Sequence, residues 1–90
     1  MSRQAGYTVL IKRSAESEMN RLSASTFERV AQAILALEAE PRPRGSRKLR
    51  GLEEYRLRVG SYRILYTIDD AARVAEVVAV GHRRDVYRGI

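Results

Sequence analysis

Apolar residues in the first half of the chain form one strand-like run and then recur at helical spacing. Residues 7–12 are apolar and β-branched, which predicts a strand. Residues 14–22 carry apolar side chains three to four positions apart, which is typical of a helix, and Ser14 is its candidate N-cap.

A second helix is predicted after a short break. Ser25 and Glu28 form a capping-box pattern that would open it, and Pro41 would end it. Its apolar face comprises Phe27, Val30, Ala31, Ile34 and either Leu37 or Leu35. The break between the helices is short, which favours an antiparallel αα-hairpin.

The second half of the chain has the pattern of β-structure. Residues 54–59 and 62–68 predict two strands joined by the two-residue turn Gly60-Ser61. Residues 74–80 are nearly all apolar, which predicts a strand buried on both faces. The order β-α-α-β-β-β predicts an α+β fold in which a mostly antiparallel four-stranded sheet carries the N-terminal αα-hairpin on one face.

Composition narrows the possible partners. Ninety residues, of which 44% are hydrophobic, predict a single domain spanning residues 1–90. The net charge is +6, and all of this positive excess lies in residues 42–66, which contain eight basic residues but only two acidic ones, Glu53 and Glu54. That segregation favours a polyanionic partner and excludes an acidic disordered chain.

Several classes of protein and of functional site are excluded because the chain lacks the residues they need. There is no cysteine and a single histidine, so disulfide frameworks, thiol nucleophiles and Cys/His metal sites are excluded, and we expect no metal and no cofactor. No apolar run is long enough to cross a membrane, so we expect a soluble cytoplasmic protein without a membrane partner.

The predicted hairpin places arginines together. Counting outward from Gly60-Ser61 pairs Arg58 with Arg63 and Arg56 with Leu65. Alternation then puts the three arginines on one face and a set of apolar residues on the other, namely Tyr55, Leu57, Val59, Tyr62, Ile64 and Tyr66. Opposed like charges destabilise a sheet, so the triad is interpreted as an anion site. The alternative is that Glu53, Glu54 or carboxylates of a partner neutralise it.

Three stretches together resemble the RelE/ParE superfamily of toxins from toxin–antitoxin systems: residues 48–52 (KLRGL), 55–66 (YRLRVGSYRILY) and 78–88 (VAVGHRRDVYR). The basic positions of the hairpin and the terminal Arg and Tyr are all filled, so the chain looks more like the RelE branch than the ParE branch. RelE-like toxins are ribosome-dependent endoribonucleases in which the RNA's own 2′-hydroxyl attacks the adjacent phosphate and leaves a cyclic phosphate.

The resemblance implies roles for individual residues. Arg63 would clamp the phosphate, Arg83 would stabilise the departing 5′-oxygen, and Tyr87 would stack on or orient a base. Arg56 and Arg58 stand where the family often has lysines. Because arginine stays protonated, these two residues could stabilise charge but could not act as a general base.

The C-terminal stretch leaves two alternatives open. It is shorter than in some members, so Arg84 could replace Arg83, and either His82 or Tyr87 is a candidate proton carrier. His82 could equally be a hydrogen-bonded structural residue, and Tyr87 a hydrophobic plug. Further RNA contacts are expected from Arg44, Arg47, Lys48, Arg50 and Arg84.

The resemblance also implies partners. These would be a cognate RelB-like antitoxin, the ribosome and mRNA. Two alternative functions remain open, namely a ParE-like poison of DNA gyrase without nuclease activity and a basic RNA-binding module without catalysis.

Overall fold

The computed structural model describes residues 6–51 and 53–86, and in these residues the elements follow the order β-α-α-β-β-β-β. They are β1 (Thr8–Ile11), α1 (Arg13–Met19), α2 (Ala24–Ala36), β2 (Ser46–Lys48), β3 (Glu54–Val59), β4 (Tyr62–Asp69) and β5 (Val74–His82). The predicted α+β class is confirmed. No described helix is long and apolar enough to span a membrane.

The sheet has five strands in the order β1-β5-β4-β3-β2. β1 runs parallel to β5 and every other neighbouring pair is antiparallel, so the prediction of a mostly antiparallel sheet is confirmed. The predicted number of four strands was wrong because no strand was predicted for the residues of β2. Its three residues contain no apolar alternation. A short and charged strand is well suited to the edge of a sheet, where it discourages pairing with other chains.

The register of the β3–β4 hairpin is the one obtained by counting. Arg58 lies opposite Arg63, and Arg56 lies opposite Leu65. Gly60 has φ of +59°, whereas Ser61 lies outside the left-handed region, which is the pattern of a type II′ turn with glycine at its first central position. This turn closes the ladder directly after Val59.

The hydrophobic core lies between the two helices and one face of the sheet. Leu37, not Leu35, completes the apolar face of α2, since Leu37 is fully buried and Leu35 is 55% exposed. From the sheet, Leu57, Ile64 and Tyr66 enter the same core, as the alternation predicted. The Tyr66 hydroxyl donates a hydrogen bond of 2.7 Å to the carbonyl oxygen of Pro41. Burial raises the pKa of that hydroxyl.

β5 is buried on one face and only half-buried on the other, so the prediction of burial on both faces was wrong. A β-bulge between the pairs Leu65–Ala79 and Tyr66–Val77 leaves Val78 as the extra residue. Val77 and Val80 therefore both point into the core despite their odd spacing. The N–H of Val80 donates to Oε1 of Glu18 in α1 at 2.8 Å, which satisfies a strand N–H beyond the end of β1.

The helix boundaries differ from the predicted ones in detail. α1 begins at Arg13 with Lys12 as N-cap instead of Ser14, and it ends at Met19. α2 is capped by Ser23, whose side chain accepts a hydrogen bond of 3.3 Å from the N–H of Thr26. The prediction of Ser25 as cap was therefore wrong. Two serines lie within three positions, and only the extended backbone of Ser23 identifies the cap.

The alternative caps provide a matched pair of variants. We expect Ser23→Ala to lower the free energy of unfolding by about 1 kcal/mol, because an N–H at the helix start loses its acceptor. Ser25→Ala should leave it unchanged or raise it slightly, because Ser25 is within the helix, where alanine is favoured. Urea unfolding followed by circular dichroism measures both, and an equal cost for the two variants would contradict this capping assignment.

Candidate anion-binding site

The sheet face opposite the helices gathers four arginines from three strands. Arg56 and Arg58 of β3 and Arg63 of β4 share this face as predicted. β2 adds Arg47, which lies directly opposite Arg56 in the ladder. We call these four residues, Arg47, Arg56, Arg58 and Arg63, the arginine face.

Arg58 and Arg63 form the closest kind of cross-strand pair. The N–H of Arg58 points away from β4, toward the carbonyl oxygen of Gly45 at 3.4 Å. The two arginines therefore form a non-hydrogen-bonded pair, whose Cα atoms lie about 4.5 Å apart. Like charges directly opposed on a sheet are destabilising by roughly 0.2–1 kcal/mol.

Arg63 is buried, although it lies on the face opposite the hydrophobic core. The residue is 8% exposed. Its Nη1 donates hydrogen bonds of 2.9 Å to the carbonyl oxygens of both Gly60 and Tyr62. The side chain thus turns back along its own strand to the hairpin tip, and its positive charge is held in one place.

Arg56 is half-buried beside an apolar neighbour. Leu65, across the ladder from Arg56, is fully buried. The Nε atom of Arg56 is also buried and has no hydrogen-bond partner. A buried donor without an acceptor costs about 1–3 kcal/mol, so an anion that accepted from Nε would be favoured here.

Neither nearby carboxylate neutralises the arginine face. Glu53 is exposed and lies 3.7 Å from Nζ of Lys48, a weak surface pair. The Oε1 atom of Glu54 is buried without a hydrogen-bond partner. Within residues 6–51 and 53–86, neither carboxylate forms an ion pair with an arginine of this face. The alternative of neutralisation by Glu53 or Glu54 is therefore not supported among the described residues, and neutralisation by carboxylates of a partner stays open.

The other predicted RNA-binding residues are distributed around the molecule. Lys48 lies opposite Tyr55, so it projects from the helix-bearing face and not from the arginine face. Lys48 and Arg50 line an open depression near Gly51. Arg44 is exposed just before β2, beside the hairpin end of the sheet.

The segment after β5 returns to the hairpin tip. The N–H of Arg83 donates to the carbonyl oxygen of Ser61 at 2.8 Å, which places Arg83 beside the turn. The Nδ1 atom of His82 accepts a hydrogen bond of 3.3 Å from the N–H of Arg84. The His82 ring also meets Tyr62 edge-on, with 5.6 Å between centroids. Tyr87 lies outside the described residues.

Arg42, one of the basic residues in the range 42–66, has a structural role. Arg42 forms a bidentate ion pair with Asp70, at 3.1 and 2.9 Å, and its Nε donates to the Tyr55 hydroxyl at 3.1 Å. The Tyr7 hydroxyl donates to the same carboxylate at 2.6 Å. The Arg42 and Tyr7 hydrogen bonds lower the pKa of Asp70 to about 2, and the carboxylate in turn raises the pKa of Tyr7.

A further arginine reaches the hairpin tip from α2 and was missed by the sequence reasoning. A Cβ atom added to Gly60 would lie 3.0 Å from Nη2 and 3.4 Å from Nη1 of Arg29, so the guanidinium lies against the glycine. In the sequence, Arg29 is one polar residue on the exposed side of an amphipathic helix. Nothing in its spacing indicates contact with Gly60, which lies 31 positions later in the chain.

Comparison with known proteins places the chain in a family. Residues 9–87 match the model described as "ParE toxin of type II toxin-antitoxin system, parDE". Toxin RelG of Mycobacterium tuberculosis is 34% identical over 86 residues, which span 91% of this chain and 97% of that relative. The chain belongs to the RelE/ParE family of type II toxin–antitoxin toxins.

Solved structures agree with this membership. The RelBE2 toxin-antitoxin complex of Mycobacterium tuberculosis superposes with a TM-score of 0.79 at 29% identity, covering 88% of this chain and 100% of that chain. The archaeal RelE-RelB complex of Pyrococcus horikoshii also gives a TM-score of 0.79, at 26% identity, covering 90% of this chain and 99% of that chain.

The Arg42–Asp70 pair predicts a pH-dependent stability. The usual pKa of Asp70, 3.8, falls to about 2 in the folded state, so the stabilisation is present above pH 4 and is lost as the pH falls toward 2. We expect Asp70→Asn to lower the melting temperature at neutral pH. The difference in melting temperature between the variant and the wild type, here called the gap, should close between pH 4 and 2. Thermal melts across this range measure the gap. In an Arg42→Gln background the gap should be much smaller, and a gap of equal size at every pH would exclude the pair as its cause.

Proposed function

We propose that this toxin is an endoribonuclease that cleaves mRNA on the ribosome. The observation that carries the proposal is the arginine face, in which Arg47, Arg56 and Arg58 have no ion-pair partner among the described residues while Arg63 is fixed by backbone carbonyls. The resemblance to the RelE branch and the 34% identity with Toxin RelG support the same conclusion.

The arginine face suits a reaction in which negative charge develops on phosphorus. When the 2′-oxygen attacks the adjacent phosphate, the P–O bond to the 5′-oxygen breaks, and the pentacoordinate transition state carries more charge than the ground state. Guanidinium groups held in place before the reaction stabilise this charge without reorganising. Arg63 would supply the fixed charge, and the exposed Arg58 opposite it would bind the phosphate oxygens.

Proton transfer requires a group other than arginine. Because Nδ1 of His82 accepts a hydrogen bond from a backbone N–H, its proton in the neutral ring is on Nε2. His82 is therefore oriented, and it stays a proposed proton carrier together with Tyr87. Arg83, held beside the turn, would stabilise the departing 5′-oxygen, and Arg84 is its alternate. Within residues 6–51 and 53–86 no three side chains are grouped in a way that could ligate a metal.

A poison of DNA gyrase is the second candidate. It is favoured by one observation, namely that the matching family model is the one described for ParE toxins. A gyrase poison acts by binding and needs no group to transfer protons. An mRNA endoribonuclease should stop translation first, whereas a gyrase poison should stop DNA replication first. The two candidates also differ in how strongly toxicity depends on individual arginines.

We also propose a cognate antitoxin as partner. The solved relatives from Mycobacterium tuberculosis and Pyrococcus horikoshii are toxin-antitoxin complexes. In this chain β1 pairs only with β5 among the described strands, so its outer edge is unpaired, and it carries the exposed apolar residues Leu10 and Ile11. An unpaired edge with apolar side chains is a surface that binds an added segment of another chain. Copurification from the native operon tests the partner.

Arg58 gives the cleaner test of the active face. We expect Arg58→Gln to lower cleavage of mRNA on programmed ribosomes by about 10²-fold, as the loss of one oxyanion donor does elsewhere. The melting temperature should not fall, because Arg58 is exposed and unpaired within the described chain. Arg13→Gln, which removes an exposed charge just after β1, is the control and should cleave normally.

Arg63 should behave differently from Arg58. Because Arg63→Gln removes a buried group with two hydrogen bonds to backbone carbonyls, it should lower the free energy of unfolding by roughly 1–3 kcal/mol, in addition to slowing cleavage.

The outcome for Arg58→Gln decides whether the arginine face is the active site. If this variant cleaves as fast as wild type, the arginine face is not the active site.

The two candidate functions separate in growing cells. Induction of the wild-type toxin should stop incorporation of labelled methionine before that of labelled thymidine, because translated mRNA is the proposed substrate. Arg58→Gln at equal expression should stop neither. Arrest of thymidine incorporation first would favour the gyrase candidate and contradict the proposal.

A further inference from the structure

We propose that Arg29 binds a second backbone phosphate of the RNA, next to the phosphate that is cut, and that the hairpin tip is therefore a phosphate subsite. This inference rests on the proposed function, since it takes RNA to be the ligand. It adds a residue of helix α2 to a site otherwise built from the sheet and the segment after it.

Three separate segments bring an arginine to the same two-residue turn. Arg29 of α2 lies against Gly60, within 3.0–3.6 Å of the position that a Cβ atom would occupy. Arg63 of β4 donates to the carbonyl oxygen of Gly60 at 2.9 Å. Arg83 donates its N–H to the carbonyl oxygen of Ser61 at 2.8 Å. The guanidinium groups of Arg29 and Arg63 thus both lie at Gly60, and the backbone of Arg83 lies beside Ser61.

No described carboxylate offsets this convergence at Arg29. Arg29 is exposed, and within the described ranges its side chain forms no hydrogen bond and no ion pair. Its guanidinium is therefore available to a ligand. A guanidinium has five N–H donors, and its fork matches the oxygens of a phosphate. Cations gathered at one turn repel one another, so a ligand with negative charge would be bound with favourable energy.

The position of the subsite fits a polynucleotide better than a single anion. Arg29 lies against Gly60, and Arg63 donates to the carbonyl oxygen of the same residue, so the two guanidinium groups are neighbours at the tip. A chain that places its scissile phosphate at Arg58 and Arg63 would pass the tip with an adjacent phosphate at Arg29.

The test measures binding of the full-length protein to a fluorescent single-stranded 2′-O-methyl RNA, which retains every phosphate but cannot be cut by its own 2′-hydroxyl. We expect Arg29→Gln to weaken binding by about 3- to 10-fold at low salt. It should also reduce the slope of log Kd against log salt by about 0.7, the value for one phosphate contact on a single strand. Arg29→Lys should restore the slope, since it keeps the charge. Arg13→Gln is the matched control and should change neither quantity.

The outcomes separate this inference from the proposed function. Unchanged binding and slope for Arg29→Gln, or an equal loss for Arg13→Gln, would overturn the subsite. Absence of salt-dependent RNA binding by the wild type would overturn it as well. If the subsite is confirmed but wild type fails to cut mRNA on programmed ribosomes, only the proposed function fails. A loss restored by Arg29→Lys, with no change in melting temperature, supports a phosphate contact over a structural role.

Discussion

The type II′ turn at Gly60 determines which residues face each other across the central hairpin, and the arginine face depends on that register. Because the ladder closes directly after Val59, Arg58 must lie opposite Arg63. A shift of one residue would place the apolar residues on the outer face and the arginines in the core, so the core enforces the register. The same turn then receives Arg29 from the helices and Arg83 from the segment after β5.

The two faces of the sheet have opposite energetic roles. On the helix side, Leu57, Ile64 and Tyr66 contribute apolar burial that stabilises the fold. On the other side, opposed arginines and the buried unpartnered Nε of Arg56 are unfavourable in the unbound protein. A binding site for an anion is the expected place for such local instability, because the ligand removes the repulsion and satisfies the donor.

The sequence was sufficient for the hairpin because its strands are periodic and its turn has a defined length, which together predicted the Arg58–Arg63 pair. It was insufficient for β2, whose three residues are too few to show a period. The burial of Arg63 depends on how its side chain turns toward Gly60, and alternation specifies a face but not a rotamer. The approach of Arg29 is a tertiary contact between elements distant in the sequence, which no local pattern encodes.

The proposed mechanism makes the RNA's own 2′-hydroxyl the nucleophile and has fixed arginine charge stabilise the transition state. It is tested most directly on ribosomes programmed with an mRNA that carries one 2′-deoxynucleotide immediately before the cleavage site, with the all-ribose mRNA as control. We expect the all-ribose mRNA to yield a 2′,3′-cyclic phosphate end and the 2′-deoxy mRNA not to be cut at that position. Cleavage of the 2′-deoxy mRNA at an undiminished rate would contradict it.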